Sequence, residues 1–152
     1  MGDPETTMEV SDAELVERFS GVKLTHDNKA HYKGLLRRRL LFYRCRDCGH
    51  WIYPQYPGCP ACWSDDVAVE EVSGSGTIYL YCVFHQGRPI PGVDYSSPYP
   101  VVAVELAEQN ALRYVAPLVG PGSTEAELGA PVSLTWIDRA GAPAPAFELV
   151  AQ

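Results

Sequence analysis

Four cysteines constrain this chain more than anything else in it. CRDC (Cys45 to Cys48) and CPAC (Cys59 to Cys62) are two Cys-x-x-Cys pairs with ten residues between them. Each pair presents two sulfurs on one side of a tight knuckle, and two facing knuckles complete a tetrahedron of thiolates. Gly49 follows the first pair and Gly58 precedes the second, where a missing Cβ eases the turn. The layout is that of a zinc ribbon. It predicts a structural Zn2+ held by Cys45, Cys48, Cys59 and Cys62. Iron in a rubredoxin-like centre is the other metal that four sulfurs suit. With every position filled by protein, no site is left for water or substrate, so the metal is expected to scaffold and not to catalyse. His50 sits beside the shell without being needed in it.

The remaining residues must then supply a fold and a function. Pairs of cysteines this close suit metal in a reducing compartment better than a disulfide frame, so the cytoplasm is the expected setting. No apolar run approaches a membrane span, and the polar, acidic start from Met1 to Val10 reads as a tail or linker and not as a secretory signal. Residues 11–44 read as a helical lead followed by a strand. In SDAELVERF, Ser11 is an N-cap, Glu14 closes a capping box, and Val10 and Leu15 occupy the staple positions. Leu15, Val16 and Phe19 then share a face. A second helix is expected from about Thr25 or Asp27 to Gly34, with His26 and His31 on its solvated side. RRRLLFYRC reads as a strand leading into the ribbon, which occupies 45–64. A linker follows over 65–75.

From there to residue 152, Pro and Gly punctuate five short runs rich in Val, Ile, Tyr and Thr. They are TIYLYCVFH, VVAVEL, ALRYVAPLV, PVSLTWI and AFELV. The first is apolar on both faces and reads as a central strand, with Cys82 a buried small hydrophobe inside it. In PVSLTWI, Val132, Leu134 and Trp136 face one way, Ser133 and Thr135 the other. The fold class is therefore mainly β with N-terminal helices: a zinc ribbon followed by a five-stranded OB-fold barrel. One long loop, QGRPIPGVDYSSPYP, joins the first two barrel strands. Its Pro89, Pro91, Tyr95 and Tyr99 make it a candidate partner interface, the alternative being a loop that covers its own barrel end.

Charge divides the chain. The net charge is −7, yet Lys33, Arg37, Arg38, Arg39, Arg44 and Arg46 run without an acid among them and are half of the twelve Lys and Arg. Eleven acids face three arginines from Asp65 onward. A barrel this acidic would repel a phosphate backbone, which argues against a nucleic-acid module. No Walker-type loop, Gly-x-Ser-x-Gly elbow or His-Glu-x-x-His helix is present. An independent enzyme would have to rest on Cys82 or His85, and neither has an evident partner.

LLFYRC leading into the ribbon, Cys48-Gly49, Tyr53-Pro54, Cys59-Pro60-Ala61-Cys62, then Ser73-Gly74-Ser75-Gly76-Thr77, Tyr99-Pro100 and Gly129-Ala130-Pro131-Val132 form a specific series. It resembles the acyl-CoA-associated family that joins a rubredoxin-like zinc ribbon to an OB-fold, and the likeness covers most of the chain after Asp27. The resemblance implies an accessory subunit of a thiolase-fold enzyme, in a heterotetramer that meets acyl-CoA through the complex. Relatives work with acyltransferases, hydroxymethylglutaryl-CoA synthase or lipid-transfer-type aldolases, and some are C-terminal domains of MaoC-like hydratases. The last two contexts imply retro-aldol cleavage of a steroid-CoA side chain. Under that reading Arg37, Arg38, Arg39, Arg44 and Arg46 could meet the phosphates of coenzyme A, since Arg pairs well with phosphate oxygens.

Overall fold

The computed structural model describes residues 10–151; the expected tail over 1–10 lies outside them except for Val10, which is buried. Two short helices come first, α1 (Asp12–Arg18) and α2 (Lys29–Leu36). Ser11 caps α1 by accepting from the Glu14 N–H at 3.1 Å, as the sequence signals. Leu15 is buried at its centre and Phe19 packs on Tyr32, ring centroids 4.9 Å apart. Val16 departs from the expected face and is 60% exposed, because this short helix buries a single turn against α2.

The ribbon is a three-stranded antiparallel sheet in the order β2-β1-β3, with β1 Leu41–Cys45, β2 Trp51–Ile52 and β3 Val67–Glu71. The stretch 65–75, read as a linker from sequence, supplies β3. Val67 to Glu71 pair in register with Cys45 to Leu41. The acids in this strand are tolerated because Glu70 and Glu71, on opposite faces, are both exposed, where Arg44 reaches Glu70 and Arg39 reaches Glu71.

The barrel follows as five strands: β4 (Ser75–Phe84), β5 (Tyr99–Leu106), β6 (Arg113–Val119), β7 (Pro131–Arg139) and β8 (Ala142–Leu149). They close in the order β4-β5-β6-β8-β7, and the β6–β8 contact is parallel. This is the OB topology. Alternation along β5 explains the core: Val102, Val104 and Leu106 point inward with at most 2% exposure. Strand β8 begins earlier than AFELV, at Ala142, with Pro143 and Pro145 inside it. β8 reaches β6 only at Phe147 and Glu148, so its first half has a free side where a residue without an N–H costs no ladder bond.

Two glycines in SGSG are structural. Gly74 has φ of 82°, with its Cα facing Leu134, and a Cβ on Gly76 would strike the Glu105 carbonyl. The segment is not a free hinge. It is where β4 starts, pairing with β5 and β7 at once through Gly76 and Thr77.

Strand β4 corrects two expectations. It pairs with β7 only over Ser75–Thr77 and then continues beside β5 alone. Its outer side chains are therefore exposed instead of central, and Cys82 is exposed as well. Apolar residues on both faces mark a strand buried twice in an α/β sheet, but here one face simply remains uncovered.

Candidate metal centre

The knuckles fold as their spacing dictates. The Gly49 N–H donates to the Cys45 carbonyl at 3.0 Å, and the Trp63 N–H to that of Cys59 at 2.9 Å. Gly49 and Trp63 each take positive φ at the corresponding turn position. Glycine does so without strain, whereas Trp63 does so in a left-handed conformation that L residues rarely adopt.

All four Sγ atoms lie within 4.8 Å of one another. Cys45 Sγ is 3.6 Å from Cys62 Sγ, and Cys48 Sγ 3.6 Å from Cys59 Sγ. A tetrahedron with metal–sulfur bonds of about 2.3 Å has edges of about 3.8 Å, so the cluster fits a single metal ion. Cys45 and Cys59 are buried, Cys48 and Cys62 exposed. Backbone N–H groups support the sulfurs: Cys48 donates to Cys45 Sγ at 3.5 Å and Ala61 to Cys59 Sγ at 3.4 Å. The thiols act on one another: the Cys48 N–H holds Cys45 down to about 7, while Cys62, lowered by the Ser64 N–H but raised more by the neighbouring sulfurs and burial, is pushed up to about 12. His50 contributes its backbone carbonyl to the Cys45 N–H at 2.9 Å.

The ribbon is tied to the barrel by contacts the sequence does not announce. The Gln109 amide accepts from the Trp51 N–H at 2.9 Å and donates to its carbonyl at 3.0 Å, acting as a one-residue strand partner. Glu108 accepts from the Ser73 N–H at 2.6 Å. His31, expected on a solvated face, is 4% exposed. Its ring sits among Tyr32, Phe42, Tyr53 and Tyr114, with centroids 5.2–6.0 Å away. Nδ1 lies 2.9 Å from the Leu41 carbonyl, which can only accept, so this nitrogen carries the proton. Burial pushes the His31 pKa down, partly offset by that bond. The same burial raises Tyr53 and Tyr114. One helix, two ribbon residues and one barrel strand meet in this aromatic cluster.

The basic stretch is partly neutralised. Arg39 pairs with Glu71 at 3.1 Å, Arg44 with Glu70 at 3.2 Å and Arg46 with Asp66 at 3.9 Å. The Arg44 guanidinium also lies over Trp51, 4.9 Å from the ring centroid. Arg37 and Arg38 are exposed after α2, and Arg38 has φ of 58°. A shallow groove of about 390 Å³ lies between Arg44, Arg46 and Glu70.

The long loop packs on its own barrel end. Tyr95 covers Gly87 and meets Tyr99 edge to face, centroids 5.7 Å apart. Tyr99 accepts from Arg139 at 2.6 Å. Both tyrosines are half-buried, while Pro89 and Pro91 flank the exposed Ile90. His85 is exposed at the strand end.

Fold and site together define a metal-stapled ribbon joined to an OB barrel. The comparisons with known proteins agree. Residues 33–68 match the ChsH2 rubredoxin-like zinc ribbon domain, and residues 69–136 the ChsH2 C-terminal OB-fold domain. The chain belongs to this ChsH2 (DUF35) family. Among solved structures, it is similar to a chain of the Ltp2-ChsH2(DUF35) aldolase, with a TM-score of 0.74 and 34% identity over 86% of this chain and 99% of that one. A DUF35-family protein from Sulfolobus solfataricus shares the fold at 12% identity, with a TM-score of 0.57 over 91% of this chain and 95% of that one. Among curated proteins, a probable enoyl-CoA hydratase alpha subunit from Thermomonospora curvata is 36% identical over 76% of this chain. The benzoylsuccinyl-CoA thiolase subunit BbsA from Thauera aromatica is 33% identical over 53%. The chain spans only 34% and 53% of those two relatives' own lengths. No helix among the described residues is long and apolar enough to cross a membrane.

Proposed function

We propose that this chain is a non-catalytic accessory subunit that binds a thiolase-fold enzyme and supports its action on an acyl-CoA. The observation that carries this reading is the likeness to the ChsH2 chain of an aldolase, which spans 99% of that chain at 34% identity. Two further features support it. The four sulfurs fill a tetrahedral shell, so a Zn2+ held by Cys45, Cys48, Cys59 and Cys62 would shape the ribbon and offer no coordination site to substrate. And among the described residues neither Cys82 nor His85 has a hydrogen bond or ion pair to a base or acid that would arm it.

In the finer form of this proposal, the partner is a lipid-transfer-type aldolase, the assembly a cytoplasmic heterotetramer, and the reaction retro-aldol cleavage of a steroid-CoA side chain. Arg37, Arg38, Arg39, Arg44 and Arg46 would face the coenzyme A phosphates. For Arg39, Arg44 and Arg46, phosphate would displace or share a carboxylate already in place. Exposed pairs of this kind are worth about 1 kcal/mol or less, so exchange is inexpensive. In the loop, Pro89 and Pro91 are the better-placed contact residues, while Tyr95 and Tyr99 shape it from within.

The test is co-expression with the thiolase-fold enzyme of the same host. The expected result is a stoichiometric complex that cleaves or condenses an acyl-CoA while neither chain does so alone. Full activity of the thiolase-fold enzyme by itself, with no complex formed, would remove the proposal. Tight, salt-dependent oligonucleotide binding by the isolated chain would replace it with a nucleic-acid role.

A further inference from the structure

The outer side of β4, together with the middle of β5 and β6, carries an exposed apolar strip. Leu80, Cys82 and Phe84 alternate outward along β4, and Leu80 and Phe84 are 59% and 43% exposed. In the register of the barrel Leu80 lies opposite Ala103, and Ala103 opposite Val115, which is 63% exposed. An irregularity between Ile78 and Leu80 turns Tyr79 outward too, 44% exposed. Leu128, 66% exposed, precedes Gly129, whose N–H donates to the Ile78 carbonyl at 2.8 Å. Among the described residues, no strand pairs with the other side of β4 from Tyr79 to Phe84. A long apolar strand with an unpaired side is the feature that soluble proteins blunt with charge or cover with a partner. From Tyr79 to Phe84 the strand itself carries no charged residue. Arg113 and Glu105 stand at one end, paired with each other at 3.4 Å, and the guanidinium lies over Tyr79.

We infer that this strip is the surface on which the partner enzyme docks, through a face with an apolar centre and a basic rim. The inference rests on the accessory-subunit reading above. Charge selects the occupant. The strip belongs to a barrel that, from Ser75 onward, carries seven acids and three arginines in a chain of net charge −7. Glu125 and Glu127 lie in the loop that leads to Leu128. A second copy of this chain would bring the same sign of charge to the contact, whereas a partner rimmed by Lys and Arg would be drawn to it.

The strip carries its own reporter. Cys82 is exposed within it, and the other four cysteines form the metal cluster. Alkylation of Cys82, read by peptide mass spectrometry, is to be compared between the free chain and its complex with the thiolase-fold enzyme. The expected result is slowing by about tenfold or more, since thiol reactivity requires access. Leu80→Asp and Val115→Asp should weaken the complex on the order of a hundredfold, as burying a charge at an interface centre does. Trp63→Ser at the ribbon tip is the comparison variant, and retained metal content shows that each variant folds. If the complex forms but Cys82 reacts at its free rate and both Asp variants bind normally, the docking surface lies elsewhere, while the accessory reading survives. Loss confined to Trp63→Ser moves the interface to the ribbon and overturns the inference in the same way. A dimer of this chain alone with Cys82 protected assigns the strip to a second copy, again overturning it. Failure of the wild-type chain to bind any thiolase-fold enzyme removes the accessory reading and this inference with it.

Discussion

The ribbon and the barrel reach stability by opposite routes. The barrel closes on a shared core that includes Val102, Val104, Leu118, Val132 and Phe147, all at most 1% exposed. The metal end of the ribbon has a core of only Cys45, Ile52 and Cys59, with Tyr43 and Val67 leaning on it. So few side chains cannot offset the entropy of ordering the knuckles, and bonds to a metal must do so. The other end of the ribbon does not stand alone. Phe42 and Trp51 belong to the barrel's core, and Gln109 completes the edge at Trp51. A tip expected to depend on a metal is thus mounted on a base that has a core of its own.

The sharpest way to break that contrast is to remove a ligand. Cys45→Ser, or a strong chelator, should abolish metal binding and melt the knuckles, while the barrel keeps its protected amides. Metal analysis together with hydrogen exchange resolved by residue checks both halves. Loss of protection throughout the chain would show that base and tip are one cooperative unit. The converse substitution is Phe147→Ala in the barrel. Truncating a wholly buried Phe costs about 3–5 kcal/mol, so the denaturation midpoint should fall steeply with the metal still bound until the chain unfolds.

The joint between the two regions should respond to pH. His31 is neutral in the fold, its pKa lowered chiefly by burial, so the unfolded chain binds the proton more readily. Its contribution is therefore complete above the unfolded value near 6.5 and is lost as pH falls through that value toward the lower folded one. Thermal denaturation of the wild type and of His31→Leu, measured from pH 8 to 5, should show the steeper acid loss in the wild type. Parallel profiles would exclude His31 as its source. The smallest effect belongs to the ribbon's surface charges. Glu70→Gln breaks the pair with Arg44, whose side chains are 42% and 50% exposed, and should shift stability by about 0.2–1 kcal/mol. A larger loss would mean that the ion pairs, and not the metal alone, hold the β1–β3 ladder.

Much of this was legible beforehand. Cys45, Cys48, Cys59 and Cys62 could be assembled on paper because a metal tolerates few ligand spacings. Ser11 could be placed because capping is local. The five barrel strands could be counted because alternation and turn residues are local as well. The failures share a cause. Cys82 and His31 were each assigned an environment from their own segment. The environment was supplied by distant ones: among the described residues no strand pairs with β4 beyond β5 from Tyr79 to Phe84, whereas Phe42, Tyr53 and Tyr114 arrived around the histidine. Likewise β3 looked like a linker because two of its five residues are glutamates, whose partners stand elsewhere, Arg44 on β1 and Arg39 just before it.

The sequence by itself determined the metal shell, the helix cap and the OB-type count of strands, since each depends on residues only a few positions apart. Only the tertiary structure decided which apolar face was left bare, which histidine was buried, and that one glutamine would act as a strand for Trp51. Burial is a property of what the chain brings together over long separations, and no window of neighbouring residues contains that information.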